Sequence, residues 1–542
     1  MTSETLGIDA LRAMRSDRRK HRVEDMEWFD ALYRVYLAAF LGGGAILFLS
    51  GLVGDASFTT REMANIHTHS PHVIGLIASI AVFIGLRSGA NGGPLAVEEP
   101  EVRHVLMAPV PHDHVLRHPA IQRMRTFAFA GALAGGTANQ LVGRRVPNAP
   151  SLGLFALYGA AAGALIGILF VMSALLSHGL GLARWMTTAI ATAVVGWQVA
   201  VTFGNTHIAG PFDTVGSIAM SWSRFSVLDV VGLLVIAALS VVSILVVGRF
   251  SLEALARRSA LVSQMKFAVT LQDIRTVVLL RRQLSQEHMR VKPWLKVPRF
   301  LRRDVVVGRG LRSLMHFPLR RVIRMTLLNV TATAALVMAW RGTTPLVIVA
   351  GLALFVLGLD IVEPLSQEVD QPDRTDSLPV ERGLIMTKHL IVPTLASLIF
   401  LPVGIIVAFV LEPHSSTIGY GFLLGIPALL GGVAGATINS VKGAPDPVGG
   451  AYEGLALPPE MSGMGTVIRS AWPPVVSILA CLPVLALRHG VETNIDTLGN
   501  TLRAAGGVVI LVVLVSGWVR QRDAIHAYFR NLKPTTSLTE SN

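Results

Sequence analysis

The sequence predicts an all-α polytopic membrane protein with about 12 transmembrane helices, in a 6+6 arrangement with both termini cytoplasmic. Three observations predict it. Of the 542 residues, 52% are hydrophobic and only 15% are charged, against about 25% charged in a soluble domain. The mean hydropathy of +0.56 is above what a water-facing surface allows. Apolar runs of about 20 residues recur along nearly the whole length, and each can cross a hydrocarbon core of roughly 30 Å as a helix. Inside lipid the backbone must satisfy its own hydrogen bonds, so such runs are helices by default.

The chain opens with a cytoplasmic segment, 1–33, charged through Arg15–Arg22. Its first apolar run begins only near Leu32 and is too long for the core of a cleavable signal, so it reads as a retained anchor. The first half, 34–248, holds expected spans at 34–54, 70–86, 126–143, 152–177, 183–204 and 226–248. The third is rich in Gly and Ala and carries Asn139 and Gln140, a composition that points to close helix packing. A basic linker follows, 249–324. In it Leu271, Ile274, Val278 and Leu279 recur at helical spacing. A second amphipathic stretch, Leu301–Met315, leads to the seventh span, with Pro318 marking its end. The second half, 325–520, holds spans at 325–340, 344–362, 389–411, 418–439, 471–487 and 503–520, and a cytoplasmic tail, 521–542, closes the chain.

Lys and Arg set the topology. The N-terminal segment carries Arg12, Arg15, Arg18, Arg19, Lys20 and Arg22, whereas 55–69 carries only Arg61. The linker holds 18 Lys/Arg against Glu253, Asp273, Glu287 and Asp304, a net +14 that accounts for the whole chain's +13. The positive-inside rule puts all these basic segments in the cytoplasm, which an even number of spans allows. Because the charge sits where the membrane rule requires it, it predicts a lipid bilayer as partner and no nucleic acid. The single cysteine, Cys481, lies in an apolar run and excludes an intrachain disulfide.

The two halves carry a repeat. After the second span come Pro94-Leu95, Glu98 and Pro109-Val110; after the eighth come Pro364-Leu365, Glu368 and Pro379-Val380. All five residues match at a constant offset of 270, almost half the chain. This loop resembles the one joining the second and third spans of ABC-2 type exporter permeases. There an acidic residue leads through a Leu-rich turn to a small residue, Pro and Val or Ile, then into a helix. Here Glu98 leads through Leu106-Met107-Ala108-Pro109-Val110, and Glu368 through Ser377-Leu378-Pro379-Val380. The second copy matches better, because the first has His118 where a Lys is common. The resemblance implies two six-span half-permeases fused in one chain. It implies that Glu98, Pro109, Val110, Glu368, Leu378, Pro379 and Val380 couple to a separate ABC ATPase subunit, used as a homodimer, which would bring ATP and Mg. A Pro at a helix start gives a stiff bend able to transmit a push. The chain has no G-x-x-x-x-G-K-[ST] phosphate loop of its own, so it is expected to be a transporter permease and not an enzyme, in the inner membrane of a bacterium.

Other classes were weighed by their chemistry. A 12-span ion- or proton-coupled secondary transporter fits the span count, but 87–101 lacks the Gly-x-x-x-Asp-Arg-x-Gly-Arg pattern of the major facilitator type. Mid-membrane charges are scarce, with Asp229 and Asp360 near span ends. A lipid-linked transferase has only Asp55 and Glu62 as candidate acids in the first external loop. His67, His69 and His72 have metal-binding chemistry, but no nearby carboxylate or thiol completes a site. Gln198 and Asn329 read as packing hydrogen bonds within spans.

Overall fold

The computed structural model describes residues 57–90, 101–108, 110–147, 151–204, 209–221, 226–270, 290–296, 304–369, 379–442 and 471–532, with 9–14, 16–17, 20–21, 48, 50–51, 95, 97 and 280. The chain divides into two compact units, Met1–Gln286 and Glu287–Asn542, and the boundary falls inside the basic linker. Among the described residues every element is helical. Nine helices there are long and apolar enough to span a membrane, and a tenth span results if one bent pair is counted. The first expected span, 34–54, and the helix expected around Leu271–Leu279 lie almost wholly outside the described residues.

Unit 1 contains α1 (Thr60–Ala90), α2 (His112–Gly143), α3 (Leu152–Gly179), α4 (Arg184–Phe203), the short α5 (Asp213–Ala219), α6 (Val227–Leu245) and α7 (Leu252–Thr270). A π-helical turn, Glu101–Val105, precedes α2, and a 3-10 turn, Val246–Arg249, ends α6. The helix of the second span begins ten residues before the expected 70, because a capping box starts it. Thr59 N donates to Glu62 Oε2 (2.8 Å), and Glu62 N donates to Thr59 Oγ1 (3.3 Å). The helix therefore takes in His67, His69 and His72, with Pro71 inside it.

The third expected span lies within α2, which is not among the nine apolar helices because Gly, Asn139 and Gln140 lower its hydropathy. Those same residues seat it on α3. A Cβ at Gly131 would lie 2.1 Å from the Gly163 carbonyl oxygen, so the two backbones touch where only hydrogen fits. Asn139 donates to the carbonyls of Phe155 (2.7 Å) and Ala219 (3.1 Å). Gln198 is fully buried; its amide donates to Asp213 Oδ1 (2.7 Å) and the His72 carbonyl (3.1 Å), tying α4 to α5 and α1.

Unit 2 contains α8 (Val305–Met315), α9 (Leu319–Trp340), α10 (Leu346–Ile361), α11 (Glu363–Val369), α12 (Arg382–Leu411, interrupted near Ile399), α13 (Ser415–Lys442), α14 (Ala471–Thr493) and α15 (Thr497–Leu532). Pro318 caps the start of α9, so the chain turns there after α8. The eighth expected span breaks at its end: α10 and α11 meet at 61°. The core of unit 2 joins α9, α10, α12, α13 and α14 through Ala335, Leu354, Leu401, Leu429 and Val484. Asn329 Nδ2 donates to the Phe400 carbonyl (2.9 Å), capping the interruption in α12.

Candidate coupling segments and transport cavity

Both halves carry a short helical piece and then a valine ahead of the long helix that follows their second span, and the two short pieces, Glu101–Val105 and Glu363–Val369, differ in type and register. In unit 1 a helical turn, Glu101–Val105, is followed by Val110 and then by α2 at His112. In unit 2 the short α11 is followed by Pro379 and Val380 and then by α12 at Arg382. Each valine thus stands two residues before a long helix, and the two helices start 270 residues apart, the offset of the sequence repeat. Pro111 and Glu381 occupy the cap positions with φ of −56° in both. Val380 is 46% exposed and Met107 is 79% exposed, so each segment shows an apolar side chain outward. Val110 is half-buried against the cluster around Leu106 and Leu116. Glu98, Pro109 and Leu378 lie outside the described residues.

Glu368 does not face outward. It is 4% exposed, and Arg309 of α8 donates to its Oε2 at 3.0 Å, while His389 Nε2 of α12 stands 3.7 Å away. This carboxylate therefore fastens the amphipathic α8 to α11, beside α12. It belongs to a larger charged network at this end of unit 2. Arg324 grips Asp360 with two hydrogen bonds, Nε to Oδ2 at 2.9 Å and Nη2 to Oδ1 at 2.6 Å. Arg321 is 2% exposed; it pairs with Glu363, donates to the Asp360 carbonyl (2.8 Å) and lies over the Phe317 ring at 3.9 Å. Lys388 Nζ reaches Asp304 Oδ2 (2.9 Å), and Asp304 in turn caps α8 through the amides of Val306 and Val307. The Lys388 hydrogen bond holds the Asp304 carboxyl below its usual range, with the two amides helping.

Sequence reasoning assigned Arg309, Arg321 and Arg324 to topology alone. The available signal was the run of acids Asp360, Glu363 and Glu368 just after an apolar span, which buried would demand cationic partners.

Unit 2 also holds a half-open cavity of about 360 Å³ between α9, α12, α13 and α14. Leu336, Leu354, Leu401 and Leu424 form its apolar wall, and Asn329 and Tyr420 bring in polar groups. Glu412 and His414, in the turn between α12 and α13, line it at that end, where Arg341 pairs with Glu412 and donates to the Leu411 carbonyl (2.6 Å). A volume of this size suits a small ligand held mainly by apolar contact.

The histidines of α1 are engaged singly: His69 Nδ1 is 3.2 Å from the Asn65 carbonyl, and His72 Nδ1 is 2.9 Å from Asp213 Oδ2. No group of three or more metal-ligating side chains comes together among the described residues. No protein-family model, curated protein or solved structure matches this chain.

Proposed function

We propose that this chain is the membrane-spanning permease of an ATP-driven exporter of the ABC-2 type, in a bacterial inner membrane, working with a separate ATPase subunit. One observation carries the reading. Val110 and Val380 stand at the same register, each two residues before a long helix and 270 positions apart, and each segment also turns an apolar side chain outward, Met107 in unit 1 and Val380 in unit 2. Two such segments suit two copies of one ATPase, which would supply ATP and Mg. Lys388 of α12 reaches Asp304 at the start of α8, and Arg309 of α8 reaches Glu368 of α11, so a push on α12 at Val380 would carry α8 with it. The apolar cavity of unit 2 offers a place for cargo.

The test is affinity purification of the tagged chain from mild detergent, with ATP hydrolysis measured in the eluate. The expected result is a stoichiometric ATPase that is lost when Val380 and Met107 are both changed to Asp. An eluate without nucleotide hydrolysis would sink the reading. A gradient-driven transporter is favoured by one observation, the buried His389 beside Glu368. Transport that survives ATP depletion and stops when the ion gradient is collapsed would select it.

A further inference from the structure

Among the described residues, unit 1 has a cluster of cations with no carboxylate to meet it. Arg258 lies two turns into α7, about 9 Å from its start. It follows the fully buried Leu255 by three residues, which puts both on one face of the helix. Leu255 packs in the same cluster as Leu116, Ala120 and Leu175. Three residues past Leu175 is His178; three past Ala120 is Arg123. Three helices therefore each bring one basic side chain to the edge of a single core. Phe127 and Phe170 border that core with ring centroids 4.9 Å apart, and the Arg123 guanidinium lies 4.8 Å over the Phe127 ring. His178 stands edge-on to Phe250 at 4.5 Å, and its Nδ1 faces the Gly89 carbonyl at 3.1 Å.

What is missing is the acceptor. Arg258 Nε and His178 Nε2 are both buried without a hydrogen-bond partner among the described residues. Asp113, on the same stretch of α2, is already engaged by Arg117 (2.8 Å) and His114 (3.2 Å). Burial pushes the Arg258 guanidinium down to about 10, and the charge of Arg123 adds to the shift. A buried polar group left unmet costs about 1–3 kcal/mol, and more if charged, so an anion that met it would be held.

We infer that unit 1 binds a phosphate group between Arg258, Arg123 and His178. The chemistry fits. Guanidinium forks pair with phosphate oxygens in two-point geometry, and basic pockets between spanning helices take lipid headgroups. The place fits as well, because α7 starts three residues after the span that ends at Arg249, at the level of the headgroups. The phosphate can come from an anionic phospholipid or be free in solution. The inference does not rest on the ATP-driven reading.

The test uses the full chain in phosphate-free maltoside micelles. The probes are phosphatidylglycerol in mixed micelles and inorganic phosphate alone, and the readouts are lipid phosphorus retained per chain and the thermal midpoint. The expected result is a midpoint that rises with the probe, and an affinity that falls about tenfold in Arg258→Gln. Arg144→Gln, an exposed arginine at the far end of α2, serves as the unchanged control. A response to phosphatidylglycerol alone assigns a headgroup site; a response to both admits free phosphate. No response to either probe, or an equal response in Arg258→Gln, overturns the inference. Should Arg258→Gln fail to fold, Arg258→Lys and His178→Gln make the same comparison. Loss of stability on changing Glu98, Glu99 and Glu101 to Gln, with no probe response in the parent chain, would assign the cations to the chain's own acids and also overturn it.

Discussion

The two units each bring several arginines near the ends of their helices, and the groups that meet these arginines differ. In unit 2 Arg309, Arg321 and Arg324 each meet a carboxylate, from Glu368, Glu363 and Asp360. In unit 1 Arg123 and Arg258 meet none among the described residues. Burying a charge is costly unless it is paired and hydrogen-bonded. Unit 2 meets that cost internally, so its charges act as fasteners between α8, α9, α10 and α11. In unit 1 the Nε of Arg258 is buried with no partner among the described residues, while Arg123 is exposed. Val110 and Val380 thus share a register at the start of a helix, while the charges around the two helices are met differently.

The largest expected effect tests the fastener half of this comparison. Glu363→Ala removes the nearer carboxylate of the buried Arg321, leaving it only Asp360, and should cost about 3 kcal/mol, read as a drop in thermal midpoint in detergent. Adding Arg321→Met should recover most of the loss. A harmless Glu363→Ala would break the comparison, because the network would then hold nothing. Next in size is the helix pair that has no charges to help it. Gly131→Leu pushes side chain into the α3 backbone and should cost about 1–3 kcal/mol, measured the same way against Gly153→Leu, where a Cβ meets nothing within 4 Å.

Smaller effects sharpen the contrast. Arg258→Gln, in micelles free of phosphate and anionic lipid, should change stability by no more than about 0.5 kcal/mol or raise it, unlike any paired arginine of unit 2. The smallest effect is one of pH. The folded-state carboxyl of Asp304 titrates below its ordinary 3.8, so its stabilising contribution is present above that value. It disappears as pH falls through the lowered value. The midpoint difference between the parent chain and Asp304→Asn should therefore be steady from pH 7 to about 5 and shrink toward pH 3.

Much of the architecture was legible because it depends on local properties. Apolar runs marked the spans, Gly and Ala in 126–143 marked the close contact of α2 with α3, and Pro318 marked the turn before α9. The valines of the repeated turn were placed by their own proline neighbours. The end of the eighth span was legible beside Pro364, and less legible was that the chain resumes as a helix at 61° to it, with Asp360 and Glu363 held by arginines about 40 positions upstream. The early start of α1 at Thr60 was written in Thr59 and Glu62 and passed over because apolar length dominated the reading.

Composition and periodicity therefore determined that this chain is built of many apolar helices, because a bilayer rewards a helix residue by residue along one segment. Which charges meet was decided only in three dimensions. Arg321 and Glu363 are 42 positions apart, and Arg258 and His178 are 80 apart. Whether such side chains neutralise or repel one another depends on how helices far apart in sequence pack, and no local pattern encodes that.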